Sequence, residues 1–552
     1  MSRSDCLAAA EAYFDSGRFF ADLAARVACR TESDTGAAPP ALIEYLREQI
    51  ARPLARLGFA TELVPNPVDG GGPFLIARRI EGAGLPTLLT YGHGDVVSGQ
   101  AGSWRAGLDP WSLTEEGDRW YGRGTADNKG QHTINLGALA AVIAARDGKL
   151  GYNVTVLLET GEEAGSPGLH DVCRARAQDL AANVLLACDG PRVHAGRPTL
   201  FLGSRGAVNF TLRLRAREKS YHSGNWGGVL ANPATVLAHA LATLVDRRGR
   251  ILVEALRAPP VPASVRRVLA DVEVGGGEDD PPLEQGWGEP GLTAAERLMA
   301  CNTIEVLALG AGSPQRPVNA IPGTAVAHCQ LRFVVGTPWR DLRDIVRAHL
   351  DTHGFDAVDV DVTLAGAATR LDVESPWVAW AEQSIERSSG KRPTILPNLG
   401  GSLPNDVFAE MLGLPTLWVP HSYPACAQHA PNEHLLAPVA REGLRIMAGL
   451  YWDLGEPHGP PWTDAGTCSA PAGPTCDSGA SMRSAHKPPR HSERTRHMEA
   501  LLDDALRMTF PASDPIAPAL DTQPAGLQGA NPHEDVHPSR PDPSRRTHDE
   551  RM

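Results

Sequence analysis

The stretch VTVLLETGEEAGSPGLH, Val154–His170, sets a run of β-formers directly against two adjacent carboxylates. Val154 to Leu158 are apolar but for one threonine, the composition of a strand buried on both faces. Gly161 and Gly165 then mark a turn, and Glu162 and Glu163 sit inside it. Adjacent like charges repel, so a loop that only reversed the chain would gain nothing from both. Two readings are open at this point: a solvated rim, or two carboxylates with different jobs.

Working outward, PFLIARRI (73–80), PTLLTYG (86–92) and ANVLLACDG (182–190) read as further strands. TADNKGQHTINLGALAAVIAARDG (125–148) reads as a loop entering a helix, and SPGLHDVCRARAQDL (166–180) as another helix. Helical periodicity also runs through 10–28 and 41–58. Such alternation predicts an α/β fold with a layered, mostly parallel sheet. The texture changes near Thr199. TLFLGSRGAVNFTLRLRAR (199–217) reads as two amphipathic strands about a glycine turn, and AVAHCQLRFVV (325–335) and AVDVDVTLA (357–365) as two more. Helices are expected over 232–246 and 339–354, and the segment around 273–291 reads as an insertion. After about Leu371 the α/β pattern returns, with a helix at 376–390, a strand at 393–398, a helix at 404–413 and a strand at 415–421. The expected organisation is an α/β domain, 1–198 and 371–456, interrupted by an inserted α+β module, 199–370, which the family resemblance given below implies are a catalytic domain and a lid. A disordered, low-complexity tail follows over 457–552, rich in Pro, Ser, His and Arg, with one short helix, HMEALLDDALRMTF (497–510).

The 552 residues exceed what one compact core organises. A formal net charge of −13 argues against nucleic-acid binding, which needs a basic surface. No stretch has the length and apolarity of a membrane span, and the first twenty residues lack the apolar run of a secretory signal. Nine cysteines without CxxC pairs suggest reduced thiols in a cytoplasmic protein; Cys468 and Cys476 lie close together without zinc-knuckle partners.

Four predicted strands or their loops end in potential metal ligands: His93 and Asp95 in GHGDVV, Asp127 in GRGTADNKG, Glu162 and Glu163, and Asp189 in ACDG. A late histidine, His429 or His434 in QHAPNEH, completes the set. Taken singly each has a plain explanation: a structural His-x-Asp, a charged rim, a turn. GRGTADNKG lacks the GxxxxGK[ST] spacing of a phosphate loop. Jointly, histidines and carboxylates at successive strand ends suit a pair of divalent ions, most simply zinc. Glu163 would bind an ion, while Glu162 stays free to take a proton from a shared water.

Together with YHSGNWGG, NAIPG, GGSLPND and HAPNEH, these motifs resemble those of the zinc metallopeptidases that include carnosine dipeptidase, aminoacylase, carboxypeptidase G and acetylornithine deacetylase. The resemblance covers about Tyr91 to His434. It implies two divalent cations, Zn2+ with Co2+ or Mn2+ as substitutes. His93 and Asp189 would hold one ion, Glu163 and His429 the other, and Asp127 would bridge both, next to a cis bond to Asn128. Glu162 would be the general base, and Asp95 would orient the His93 ring. His429 is preferred over His434 because the family pattern reads His-x-x-Asn-Glu, which leaves His434 as an exposed helix-start residue. In relatives the counterpart of His222 reaches the partner protomer's active site in a homodimer formed through the lid. Asn319, Arg332 and the Gly400–Gly401–Ser402 loop would grip the substrate. Trp104, Trp111 and Trp120 are pocket candidates, with packing the expected role for at least two.

The expected activity is hydrolysis of an amide bond in a dipeptide or short peptide-like substrate with a free carboxylate. The alternatives are an N-acyl-amino-acid deacylase and a non-catalytic ligand-binding relative. No nucleic-acid or membrane partner is expected.

Overall fold

The structure, a computed structural model, describes residues 1–33, 40–275, 281–457 and 459–462, with Leu364 described by its backbone alone. The expected helix at 497–510, Cys468, Cys476 and nearly all of the expected tail lie outside the described residues.

The first sheet has eight strands, in the spatial order Ala60–Val64, Phe74–Arg79, Asn153–Glu159, Thr87–His93, Val184–Ala187, Thr416–Trp418, Thr199–Phe201 and Thr394–Leu396. Thr87–His93 runs parallel to both its neighbours, and Val184–Ala187 runs parallel to Thr416–Trp418. Phe74–Arg79 is antiparallel to both of its neighbours, and Thr416–Trp418 meets Thr199–Phe201 antiparallel. The sheet is therefore mixed, with four of its seven pairings parallel. The connection from Val64 to Phe74 holds no helix, and a short link of that kind joins antiparallel neighbours; parallel ones need a crossover. Thr199–Phe201, read from sequence as the start of the second module, instead pairs parallel with Thr394–Leu396 in this first sheet.

Both faces of the sheet are covered. Helices Arg3–Asp15, Lys129–Ala145, Pro376–Ser389 and Ala437–Leu454 contribute to one apolar cluster with Leu88, Val154, Leu158 and Leu186. The opposite cluster gathers Leu89, Leu157, Leu185, Phe201 and Trp418. Neighbours in one strand thus point to opposite cores, which is why these strands read as continuous apolar runs.

A second sheet, wholly antiparallel, has the order Thr303–Gly310, Thr324–Phe333, Gly206–Arg215 and Val358–Gly366. Burial alternates strictly along Thr324–Phe333, so one face is core and the other open. Helices Pro233–Leu244 and Leu342–Thr352 cover the core face, giving a third apolar cluster. The 273–291 segment is flanked by two short helices, Ala263–Leu269 and Ala294–Met299, the second opened by a Thr293–Glu296 capping box. No described helix is long and apolar enough to cross a membrane. The described cysteines are free thiols, nearly all buried.

Candidate metal centre

Parallel strands that end at one edge deliver their following loops to one place. His93 closes Thr87–His93 and stands level with Glu159, the end of its parallel neighbour. The turn Glu162–Ala164 follows from Glu159, and Asp189 follows Val184–Ala187. Asp127 lies in the loop that opens helix Lys129–Ala145, and its peptide bond to Asn128 is cis. His429 comes from the loop after Thr416–Trp418.

These side chains converge. His93 Nε2 lies 2.9 Å from Asp127 Oδ1, 3.7 Å from Asp189 Oδ2 and 4.0 Å from Glu162 Oε2. His429 Nε2 lies 2.9 Å from Asp127 Oδ2 and 3.0 Å from Glu163 Oε2. One donor atom each from His93, Asp127 and Glu163 falls within a mutual 4.8 Å.

A second layer of hydrogen bonds aims them. Asp95 accepts the backbone N–H groups of Glu162 at 3.2 Å and Glu163 at 3.1 Å, and the Ser33 hydroxyl at 2.7 Å. Its backbone carbonyl lies 3.1 Å from His93 Nδ1, so one residue ties the imidazole to the turn that carries both glutamates. Glu433 does the same for Asp127. It accepts the N–H groups of Gly124, Ala126 and Asp127 at 3.0, 2.9 and 3.1 Å, and Arg123 pairs with it at 2.8 Å. The Asn128 amide donates to the Cys188 carbonyl at 2.9 Å, joining the Asp127 loop to the strand end that carries Asp189.

The charge balance favours bound cations. Asp95, Asp127, Glu162, Glu163 and Asp189 are all buried, against two imidazoles. Burial, with the neighbouring carboxylates, raises Glu162 well above the ordinary range, Glu163 to about 7 and Asp189 to about 6. Burial opposes charge on His429, yet Glu163 and Asp127 outweigh it and raise it to about 11. His93 is raised likewise, against burial, by its bonds to Asp127 and Asp95. Asp189 Oδ2 is buried and accepts no hydrogen bond. Carboxylate oxygens and imidazole nitrogens are a donor set for divalent metal, and cations among them would relieve both the repulsion and the orphaned oxygen.

A model of peptidase family M20/M25/M40 matches residues 89–453. The chain belongs to this family. It is a metal-dependent hydrolase. Among its M20 relatives, the cysteinylglycine-S-conjugate dipeptidase of Corynebacterium striatum is 28% identical over 339 residues, 59% of this chain and 71% of the relative. The mouse β-Ala-His dipeptidase is 25% identical over 401 residues, 70% of this chain and 80% of the relative. Among solved structures, the Saccharomyces cerevisiae dipeptidase Dug1p superposes with a TM-score of 0.67 at 22% identity, covering 83% of this chain and all 100% of that one. An M20 metallo-carboxypeptidase from Sulfolobus solfataricus gives a TM-score of 0.67 at 25% identity, covering 79% of this chain and 99% of that one.

The other expected site residues lie elsewhere in this M20 chain. His222 is exposed on a short ladder opposite Ala320, and its Nδ1 accepts the Gly224 N–H at 3.2 Å. Exposed Asn319 neighbours it, its carbonyl taking the Ser223 N–H at 2.8 Å. Neither is part of the His93, Asp127 and Glu163 cluster among the described residues. Arg332 and the Gly400–Ser402 loop do come together, with Arg332 Nη1 donating to Ser402 Oγ at 3.0 Å. Arg205 Nε donates to the Gly400 carbonyl at 2.7 Å. Trp104 is buried and donates to the Gly99 carbonyl, while Trp120 stacks on Phe14 at 5.1 Å, so both pack; Trp111 is partly exposed.

His434 is not an exposed helix-start residue. It is buried in the strand His434–Leu436, paired with Arg119–Tyr121, with its Nε2 against the Tyr423 hydroxyl. Tertiary pairing with a strand far upstream overrode the polar look of QHAPNEH. Four polar residues about the site carry no role in the sequence reading: Gln428, whose amide donates to Asp127 Oδ2, and Glu159, Gln330 and Arg205. Glu159 had a signal, since it is a third carboxylate in LLETGEE. Buried, it is raised to about 7 and accepts Tyr91 and Ser166 hydroxyls at 2.7 and 2.9 Å.

Proposed function

We propose that this chain is a two-metal dipeptidase, hydrolysing the amide bond of a dipeptide or short peptide-like substrate that carries a free carboxylate. The observation that carries the reading is the Asp127 carboxylate, with one oxygen 2.9 Å from His93 and the other 2.9 Å from His429. A carboxylate flanked in this way suits a bridge between two cations. His93 and Asp189 would complete one site, Glu163 and His429 the other. When bound, the cations supply Lewis acidity to the scissile carbonyl and to an attacking water.

The chain's own residues do the rest. Glu162 makes the longest approach to His93, at 4.0 Å, and is left for the proton. It takes a proton from the attacking water and later returns it to the leaving amine. The Asp95 carbonyl beside His93 Nδ1 keeps the proton on that nitrogen, so Nε2 offers its lone pair to the site. Arg332 and Ser402, with the Gly400 and Gly401 backbone, receive the substrate carboxylate, and Asn319 acts beside His222; a guanidinium matches a carboxylate with two parallel bonds.

His222 serves a second copy, stabilising the developing oxyanion there. Its exposure supports this reading, as does the edge strand Thr303–Gly310. Val306, Leu307 and Leu309 are 40%, 58% and 57% exposed on that unpaired edge, a surface suited to a homodimer through the second sheet. The dipeptidase relatives from Corynebacterium and mouse support the substrate class.

The test is a substrate panel on zinc-loaded protein with metal analysis in parallel. Dipeptides with free carboxylates are expected to turn over with two metal equivalents bound. Turnover of N-acyl amino acids alone would replace the dipeptidase reading with a deacylase, and a single equivalent at full activity would remove the bridge.

A further inference from the structure

Gln330 and Arg332 lie on the face of the second sheet that the two helices leave open, while Cys329, Leu331 and Phe333 point into the core. Asn209 stands directly opposite Gln330 on the neighbouring strand. Polar side chains on such a face are ordinarily solvated one by one. Here they are joined in series. Gln330 Nε2 donates to Asn209 Oδ1 at 2.8 Å, and Arg332 Nε donates to Gln330 Oε1 at 2.7 Å. Arg332 Nη1 donates to Ser402 Oγ at 3.0 Å, and that hydroxyl donates onward to the Arg205 carbonyl at 2.9 Å.

The chemistry allows one polarity only. A guanidinium has no acceptor, so Gln330 must turn its oxygen to Arg332 and its nitrogen to Asn209. Asn209 must then present its oxygen. A cross-strand pair on the second sheet thereby orients a group that reaches the Gly400–Ser402 loop, a loop following strand Thr394–Leu396 of the first sheet.

We propose that Gln330 and Asn209 are positioning residues for substrate recognition: they fix the plane of the Arg332 guanidinium for the substrate's carboxylate. This rests on the reading of Arg332 as the carboxylate grip. A planar fork already held at Nε and Nη1 loses little rotamer freedom when the substrate arrives, so the chain acts on binding rather than on bond cleavage.

The experiment measures KM and kcat on the zinc-loaded full chain. It uses a dipeptide substrate and the same peptide as its C-terminal carboxamide, the latter as a competitive inhibitor where it is not cleaved. Gln330→Met keeps the length and removes the amide. It is expected to raise KM for the free-carboxylate peptide about tenfold, as the loss of one hydrogen bond to a charged group would, with kcat within twofold and the carboxamide unaffected. Asn209→Leu should raise the same KM about fivefold, whereas Asn209→Asp retains an acceptor and should hold it within twofold. An unchanged KM in both Gln330→Met and Asn209→Leu, or equal rises for both peptides, would overturn the positioning role. Arg332→Met separates the two ideas. If it leaves the free-carboxylate KM unchanged, the carboxylate grip is wrong; if it raises that KM and neither Gln330→Met nor Asn209→Leu does, only the positioning role fails.

Discussion

Asp127 turns one carboxylate oxygen to His93 and the other to His429, at 2.9 Å each, although His429 lies 302 residues further along the chain. Replacing Asp127 by Asn keeps the shape and removes the charge between the two imidazoles. The variant is expected to bind fewer than two metal equivalents by elemental analysis. Its kcat/KM should fall by more than the ~10–100-fold typical of residues that only orient ligands.

Replacing Glu162 tests the proposed general base apart from metal binding. Glu162→Gln should retain the metal content of the parent and lose kcat by about 10²–10⁴-fold, the usual contribution of a positioned general base. Full activity in this variant would assign the base elsewhere, and Glu159, buried nearby, would be the next residue to replace.

Glu433 is a structural charge with a functional consequence. It is 1% exposed, pairs with an equally buried Arg123 and holds the Asp127 N–H. Glu433→Gln would strand the Arg123 charge, at a cost of about 3–5 kcal/mol in urea unfolding. Metal affinity should drop as well, because the Asp127 loop loses its anchor.

Metal-free protein should lose stability as pH rises from about 6.5 to 7.5. Burial lifts Glu163 to about 7, above its ordinary 4.5, so the folded state holds extra protons between those values. That contribution is present in acid and lost through pH 7. Asp189, raised to about 6, and His429, raised to about 11, act with the same sign. Asp127 has the opposite sign, being lowered, but its contribution disappears only below its ordinary 3.8, and His132 and His421, held neutral by burial, oppose the slope only up to their ordinary 6.5, so both effects lie below this window. Thermal melts of chelator-treated protein test the slope, and zinc added at pH 7.5 should restore the melting temperature. A flat profile would mean the carboxylate cluster is not strained when empty.

Much of the site was legible because the chain concentrates its chemistry at strand ends. His93, Glu162, Glu163 and Asp189 each follow an apolar run that can only be a buried strand, and such strands deliver their ends to one edge. Glu433 was named only as part of a motif, since its role depends on three backbone N–H groups from a loop far upstream. Helix Ala437–Leu454, buried along most of its length, was not among the expected elements. The strand Thr303–Gly310 is exposed along most of its length and lacks alternation, lying at an edge.

Local pattern by itself determined the α/β alternation, the strand ends and the identities of the metal-site candidates, because buried strands demand runs of apolar side chains that polar ends must interrupt. Tertiary structure alone decided the rest. It made the sheet mixed, drew Thr199–Phe201 into it beside Thr394–Leu396, buried His434, and joined Asn209, Gln330 and Arg332 in one line. Each of those outcomes is a pairing between segments remote in the chain. Such pairings are chosen by the shared burial and hydrogen bonding of both partners, which neither segment carries alone.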